Sequence, residues 1–149
     1  VELSTGEFDL LVALAERPAR GTRRHAGHGV PGAWPRVTGE VTLRRPDGAP
    51  VLRELHGRVG ADPERVFAAL IERIEPQAVD RRSRRAVVQG GYWYRGEYAV
   101  DPDGDGAAVR LTIVNVAPGW KLLGALTGRG VLRSAPATFA RLLGELSPA

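Results

Sequence analysis

The sequence contains no cysteine and no methionine, and aromatic residues make up only 6% of the chain. Without cysteine, the protein can form no disulfide, no thiol nucleophile and no cysteine-ligated zinc site. No apolar run approaches the ~18 residues of a membrane-spanning helix, and no basic stretch followed by an apolar core marks a secretory signal. We therefore expect a soluble, cytoplasmic protein.

The residues that are present suit one folded domain. A chain of 149 residues with 43% hydrophobic and 26% charged side chains can bury a core without covalent staples. The net charge is +4, and every basic residue except Lys121 is an arginine. An arginine bias combined with many alanines and glycines also arises from a GC-rich genome, so the charge alone does not indicate a nucleic-acid partner.

The first third of the chain divides into a helix, a linker and the start of a domain. Residues 1–18 predict an N-terminal helix, in which Ser4 and Glu7 form a capping box. Residues 19–36 are rich in glycine, proline and arginine and show no period, which predicts a flexible linker. Residues 37–149 then form the main α+β domain.

The linker also holds two histidines, His25 and His28. Their spacing could begin a metal site, but no cysteine or nearby carboxylate completes the ligand set. We expect a solvated loop here, with no metal and no cofactor.

Alternating apolar and polar residues predict two strands, over 37–44 and roughly 51–59. Between them, Pro46-Asp47-Gly48 has the composition of a turn. We expect the two strands to pair as a hairpin.

A helix is predicted to begin at Asp62-Pro63 and to end at Pro76, with aspartate as N-cap and proline in the first turn. A run of arginines follows, and it could grip phosphate, although a solvated connecting loop is the favoured interpretation. The run comprises Arg81, Arg82, Arg84 and Arg85.

Residues 86–100 give the strongest strand signal, broken or bulged at Gly90-Gly91. The alternation places three tyrosines on one face of this strand: Tyr92, Tyr94 and Tyr98. It places a tryptophan and two charged residues on the other, outward face: Trp93, Arg95 and Glu97.

The segment from Asp101 to Gly106 resembles the start of a calcium loop, but Thr112 stands where a glutamate ligand is needed, and strands rather than helices flank it. We predict a hairpin turn, followed by a strand that ends near Asn115. Residues 120–147 are helical in character, with interruptions predicted at three residues: Gly128, Gly130 and Pro136.

This order of elements predicts an α+β fold, in which a curved antiparallel sheet packs against a C-terminal helix in a helix-grip-like arrangement. From about residue 52 to 147 the chain resembles the START-like superfamily (SRPBCC), which includes polyketide cyclases and birch-pollen-allergen-like proteins. Four stretches carry the resemblance: Val59-Gly-Ala-Asp-Pro-Glu-Arg-Val-Phe-Ala-Ala-Leu70, Tyr92-Trp-Tyr-Arg-Gly-Glu-Tyr98, Asp103-Gly-Asp-Gly106 and Ala137-Thr-Phe-Ala-Arg-Leu-Leu143. Family domains usually have about six strands after the first helices, whereas the pattern here predicts two or three, so the sheet is either reduced or completed by residues 37–44.

The resemblance implies a cavity between the sheet and the C-terminal helix that takes a small hydrophobic, lipid-like or polyketide-like molecule. The candidate ligand-binding residues are Tyr92, Tyr94, Tyr98, Asn115 and Trp120. Their hydroxyl and amide groups could orient a polar group of the ligand among apolar walls. The alternative is that these aromatic residues simply fill the core.

An enzymatic role is not favoured. The nearest acid–base candidates, all predicted on the outward face, are Glu54, His56, Arg95 and Glu97. If the protein is an enzyme, the resemblance implies a cyclase or dehydrase acting on a polyketide-like substrate.

A second resemblance concerns residues 1–18, which are similar to the first helix of the effector domain of winged-helix response regulators. It implies an alternative function as a DNA-associated transcriptional regulator that uses this helix and the four arginines of residues 81–85. The basic linker that follows lacks the expected recognition helix. An exposed Trp93 would favour a partner surface, whereas a buried one would favour a structural role.

Overall fold

The structure, a computed structural model, describes residues 40–90, 93–117 and 129–148. The predicted N-terminal helix and linker lie outside these residues. The element order is β1 (Val51–Val59), α1 (Pro63–Ile74), β2 (Ala78–Asp80), β3 (Arg85–Gly90), β4 (Tyr94–Asp103), β5 (Gly106–Asn115) and α2 (Arg129–Leu146). The strands form one open antiparallel sheet in the order β1-β5-β4-β3-β2, which confirms the α+β class with a C-terminal helix.

Both helices cover the same face of the sheet, here called the helix side. Helix α1 buries Val66, Phe67 and Leu70 against it, and α2 contributes a stripe that includes Val131 and Phe139. The strand residues facing them are almost entirely apolar: Val59, Val100, Ala107, Val109, Leu111 and Ile113. The helix side therefore contains the core, as an amphipathic sheet requires.

The start of α1 confirms the predicted capping. The Asp62 side chain accepts hydrogen bonds from the backbone N–H groups of Glu64 and Arg65, at 3.0 and 3.2 Å. Pro63 occupies the first helical position, where its missing N–H costs nothing. The helix ends at Glu75, whose left-handed φ of 46° closes the last turn before Pro76.

The β4–β5 connection is the predicted hairpin turn. Gly104 adopts a φ of 58°, which glycine tolerates without strain. At Gly106, an added Cβ would lie 2.6 Å from the carbonyl oxygen of Val59 in the neighbouring strand. The glycine therefore allows β1 and β5 to approach each other closely at this point.

The predicted strand over 37–44 is wrong for the residues that the structure describes. Residues 40–50 contain no strand, and 37–39 lie outside the description. Since residues 40–50 contain no strand, they form no hairpin with β1, which is an edge strand paired with β5. Residues 40–50, the cover segment, instead lie against the second face of the sheet, here called the cover side, where the carbonyl oxygens of Thr42 and Leu43 accept hydrogen bonds from Arg95.

The predicted strand over 86–100 consists of two strands, β3 and β4, paired antiparallel from Arg85↔Ala99 to Gly90↔Tyr94. Of the two predicted alternatives at Gly90-Gly91, the break is confirmed and the bulge is not: Gly90 ends β3, and Gly91 lies outside the described residues. The three-residue strand β2 is too short for a periodic signal and was missed. Four strands follow α1 within the described residues, so the predicted count of two or three is wrong.

Helix α2 runs through Pro136 without interruption. A proline inside a helix leaves the carbonyl four residues earlier without its backbone donor. Here that carbonyl belongs to Leu132, and Arg53 on β1 donates to it from Nη1 at 2.7 Å. The predicted break at Pro136 is wrong because a side chain of the sheet replaces the missing donor. Gly130 also lies within the helix, whereas Gly128 and residues 118–127 lie outside the description.

Candidate functional site

Three of the five predicted ligand-binding residues are described, and all three lie on the helix side. Tyr94 begins β4 and pairs in register with Asn115, which ends β5. Tyr98 lies farther along β4, opposite Leu111. Tyr92 and Trp120 lie outside the described residues. The polar groups are thus gathered toward the end of the sheet where α2 also begins, near Arg53 and Leu132.

The two tyrosine hydroxyls lie close enough to influence each other's pKa. Tyr94 is buried, and desolvation raises its pKa well above the usual value. Tyr98 keeps some solvent exposure as a residue, but burial of its hydroxyl raises its pKa to about 12, against a smaller lowering by the neighbouring Tyr94 hydroxyl. At most one of the two hydroxyl protons is used between the two tyrosines, and neither hydroxyl has another acceptor among the described residues.

Gly96 gives the Tyr94 ring the room that this contact needs. A Cβ at position 96 would lie 2.6 Å from the Tyr94 hydroxyl oxygen. The ring therefore lies across the glycine on its way to Tyr98. A glycine two residues after an aromatic on the same strand face is the sequence signal for this arrangement, because strand glycines often accommodate a close approach.

Asn115 is 3% exposed, and part of its role is structural. Its side-chain oxygen accepts a hydrogen bond from the backbone N–H of Ala117 at 2.9 Å. This bond turns the chain as it leaves β5. The role of Asn115 as a group that orients a ligand stays a prediction.

Trp93 is not on an exposed outward face. It is 7% exposed, belongs to the helix-side core, and meets Tyr94 edge to face with ring centroids 5.7 Å apart. It lies just before β4 begins, so the strand alternation does not apply to it. A buried Trp93 offers no stacking platform for nucleic acid.

On the cover side, Arg95 is the largest polar side chain in the interior and is only 1% exposed. Its guanidinium donates to the carbonyl oxygens of Thr42 at 2.9 Å and Leu43 at 3.2 Å, and to Glu97 at 2.8 Å. The sequence predicted the correct face for Arg95 but not its burial. The cover segment, whose pattern was interpreted as a strand, accounts for the difference.

Glu97 accepts hydrogen bonds from two arginines, Arg45 of the cover segment and Arg95 of its own strand. Burial alone would raise the pKa of Glu97, but the two hydrogen bonds and the positive charges outweigh it, so the pKa is lowered. This carboxylate stays ionised near neutral pH, which makes it a poor general acid.

The other acid–base candidates are exposed. His56 and Glu54 are neighbours on the cover side of β1, with His56 Nε2 2.8 Å from Glu54 Oε1. An exposed pair of this kind resembles a surface ion pair more than a catalytic dyad. Across residues 40–90, 93–117 and 129–148, no group of three or more potential metal ligands occurs. In the same ranges, no helix has the length and apolarity needed to cross a membrane.

A cleft of about 250 Å³ lies on the cover side. Charged and polar side chains line much of it: Arg45, Glu54, Arg85, Glu97, Arg110 and Thr112. Most of these groups are partnered, since Arg45 binds Glu97 and Arg85 donates to Asp101 at 3.0 Å. Sequence reasoning missed this cleft because the cover segment that supplies Arg45 was predicted to be a strand.

The arginine run at residues 81–85 is divided by the structure. Arg81 and Arg82 lie in the turn between β2 and β3, which confirms the connecting-loop interpretation. Arg84 turns to the helix side, where it donates to the Val100 carbonyl and pairs with Glu64. Arg85 lies on the cover side with Asp101. The four guanidinium groups therefore do not form a single phosphate-gripping surface.

Comparison with known proteins assigns no family to the chain. No protein-family model matches it, and no curated protein matches it. One solved structure, that of TTHA0849 from Thermus thermophilus, is similar over 62% of this chain and 92% of its own, with 18% identity and a TM-score of 0.43. At this TM-score we draw no conclusion about function from the likeness.

Proposed function

We propose that the protein binds a small apolar molecule carrying a hydrogen-bond acceptor, held between the sheet and α2 in the manner of a helix-grip domain of the START-like type. The observation that carries the proposal is the Tyr94–Tyr98 pair. Two phenol hydroxyls lie together on the side of the sheet that faces the helices, and at most one of their two protons is used between them, which leaves at least one to donate. A carbonyl or ether oxygen of a ligand would accept the hydrogen bond from this remaining hydroxyl proton.

The surroundings of the pair support an apolar ligand. The side chains that share this layer are hydrophobic, including Ile113 of β5 and Val131 and Ala135 of α2. Small-molecule sites typically combine such apolar walls with a few polar groups that fix orientation. Ala135 is small and lies in the half of α2 nearest Leu132, toward the end of the sheet where Tyr94 lies.

The test uses displacement of a neutral fluorescent probe, N-phenyl-1-naphthylamine, from the full chain. Two competitors are compared, a long-chain methyl ketone and the alkane of the same length. We expect the ketone to bind about fivefold more tightly, as one hydrogen bond contributes about 1 kcal/mol.

The matched variant is the double substitution Tyr94→Phe with Tyr98→Phe, which keeps both rings and removes both hydroxyls. We expect it to bind the probe but to lose its preference for the ketone. Failure of the wild type to take up the probe in a saturable manner would contradict the proposal. So would an unchanged ketone preference in the double variant.

A further inference from the structure

A row of basic side chains crosses the cover side of the sheet. In register across β1, β5, β4 and β3, the row consists of His56, Arg110, Ala99 and Arg85. It runs along the floor of the 250 Å³ cleft, to which Arg110, Ala99 and Arg85 all contribute. We propose that this cleft binds a small molecule through a carboxylate or phosphate group, with Arg110 as the main contact.

Arg110 differs from the other arginines of the cleft. It is half-buried, yet within the described part of the chain it makes no hydrogen bond and no ion pair. A guanidinium carries five N–H donors in a fixed plane. Because these donors have no acceptor among the described residues, they are available to an anion in the cleft.

The spacing of the row suits an oxyanion. Ala99 lies between Arg110 and Arg85, on a strand paired with both of theirs, and it is 4% exposed. Neighbouring strands lie about 4.8 Å apart, so the two arginine backbones are separated by roughly 10 Å with only a methyl group between them. Arg85 already donates to Asp101 and to the carbonyl oxygens of Ser83 and Arg84, so Arg110 supplies the free donors and Arg85 adds positive charge on the other side. Hydrogen bonds from a guanidinium to a carboxylate or phosphate are stronger than those between neutral groups.

The acidic residues near the cleft pair with groups other than Arg110, and Asp101 neutralises Arg85. Glu97 already accepts from Arg45 and Arg95, and Glu54 is paired with His56 and lies 3.5 Å from the Thr112 hydroxyl. Both glutamates stand in the adjacent row, beside the basic row rather than in it. The two glutamates repel an anion in their part of the cleft, so the ligand should present its anionic group to Arg110.

This site does not depend on the proposed function. Tyr98 also lines the cleft, but its ring packs against the core on the helix side, and the proposed anion contact is Arg110. Isothermal titration calorimetry of the full chain with inorganic phosphate and with succinate tests it, at one low ionic strength set by chloride because salt screens such contacts. Tighter binding of phosphate identifies a phosphate-type ligand, and tighter binding of succinate a carboxylate-type ligand. If neither probe binds, the proposal fails.

The matched variants are Arg110→Gln and Arg133→Gln, which remove the same charge. Arg133 is an exposed residue of α2, on the far side of the sheet. We expect Arg110→Gln to weaken binding about tenfold or more, because a hydrogen bond to a charged group contributes that much to affinity. Arg133→Gln should have little effect. Equal weakening in both would show non-specific charge attraction and overturn the proposal.

Ala99→Val provides a test that keeps the charge. The larger side chain narrows the space between Arg110 and Arg85. Binding should weaken severalfold while the thermal midpoint of the unliganded protein confirms an intact fold. Unchanged binding in a folded Ala99→Val variant would contradict the site as placed.

Discussion

At the scale of single residues, strand alternation is a reliable guide to which face a side chain occupies and a poor guide to its environment. It placed Tyr94 and Tyr98 on the helix side and Arg95 and Glu97 on the other, and these faces are confirmed. It could not show that Arg95 is 1% exposed, since that depends on carbonyl oxygens of Thr42 and Leu43, more than 50 residues away in sequence. Burial of a charged residue is decided by its partners, which periodicity does not reveal.

Replacing Glu97 tests this polar cluster. Glu97→Gln should lower the free energy of unfolding at pH 7 by about 3 kcal/mol, because it leaves buried Arg95 without its carboxylate. The folded-state pKa of Glu97 lies below its usual 4.5, so its contribution is present above that pH and is lost as the pH falls further.

Urea unfolding from pH 7 down to pH 3 measures the effect. The stability difference between wild type and Glu97→Gln should shrink as the pH falls below about 4.5. A difference that stays constant over the whole range would contradict the assigned ion pairs.

The buried tyrosines make a prediction in alkali. Raised folded-state pKa values mean that the tyrosines stabilise the fold fully below their usual pKa of 10. This contribution is lost as the pH rises toward about 12, the pKa of Tyr98. Absorbance at about 295 nm, which follows phenolate formation, should show that Tyr94 and Tyr98 stay protonated at pH 11 while the circular dichroism remains native. Complete, reversible ionisation near pH 10 in a folded protein would be inconsistent with their burial.

At the scale of elements, the sequence predicted those whose ends carry strong local chemistry. Asp62-Pro63 and the turn before Gly106 are confirmed because capping and glycine turns depend on neighbouring residues alone. The strand predicted over 37–44 and the break predicted at Pro136 are wrong, since both were decided by distant partners. Local propensity is a weak prior where a tertiary contact competes with it.

The hydrogen bond from Arg53 to the Leu132 carbonyl explains why α2 continues through Pro136. Arg53→Met should destabilise the protein by about 1–2 kcal/mol, because the Leu132 carbonyl loses its donor. In a Pro136→Ala background, the restored backbone N–H can satisfy that carbonyl, so the same substitution should cost less. A double-mutant cycle by thermal unfolding measures the coupling. Additive effects would show that the two residues act independently.

Two glycine-to-alanine substitutions should change the free energy of unfolding in opposite directions. Gly106→Ala should destabilise by about 1–3 kcal/mol, because its Cβ would meet the Val59 carbonyl oxygen, which is backbone and cannot rotate away. Gly144→Ala in α2 has open space around its Cβ and should stabilise by about 0.5–1 kcal/mol. Chemical denaturation of both variants checks the signs. Equal effects would mean that β1 and β5 do not approach as closely as described.

At the scale of the whole molecule, one sheet separates two environments of different chemistry. The helix side is apolar, with the tyrosine pair as its main polar feature, whereas the cover side carries a network of arginines and carboxylates. The first was predictable because the α+β class and the aromatic face follow from periodicity. The second was not, since the cleft needs Arg45 from the cover segment and the in-register alignment of four strands.

The most direct test of the account is an NMR titration of isotope-labelled protein with the methyl ketone. The largest shift changes should fall on Tyr94, Tyr98 and Val131, on the helix side, while the cover-side resonances of Arg95 and Arg110 stay in place. Changes confined to the cover side, or no changes at saturating ketone, would contradict the proposal that a ligand is held between the sheet and α2.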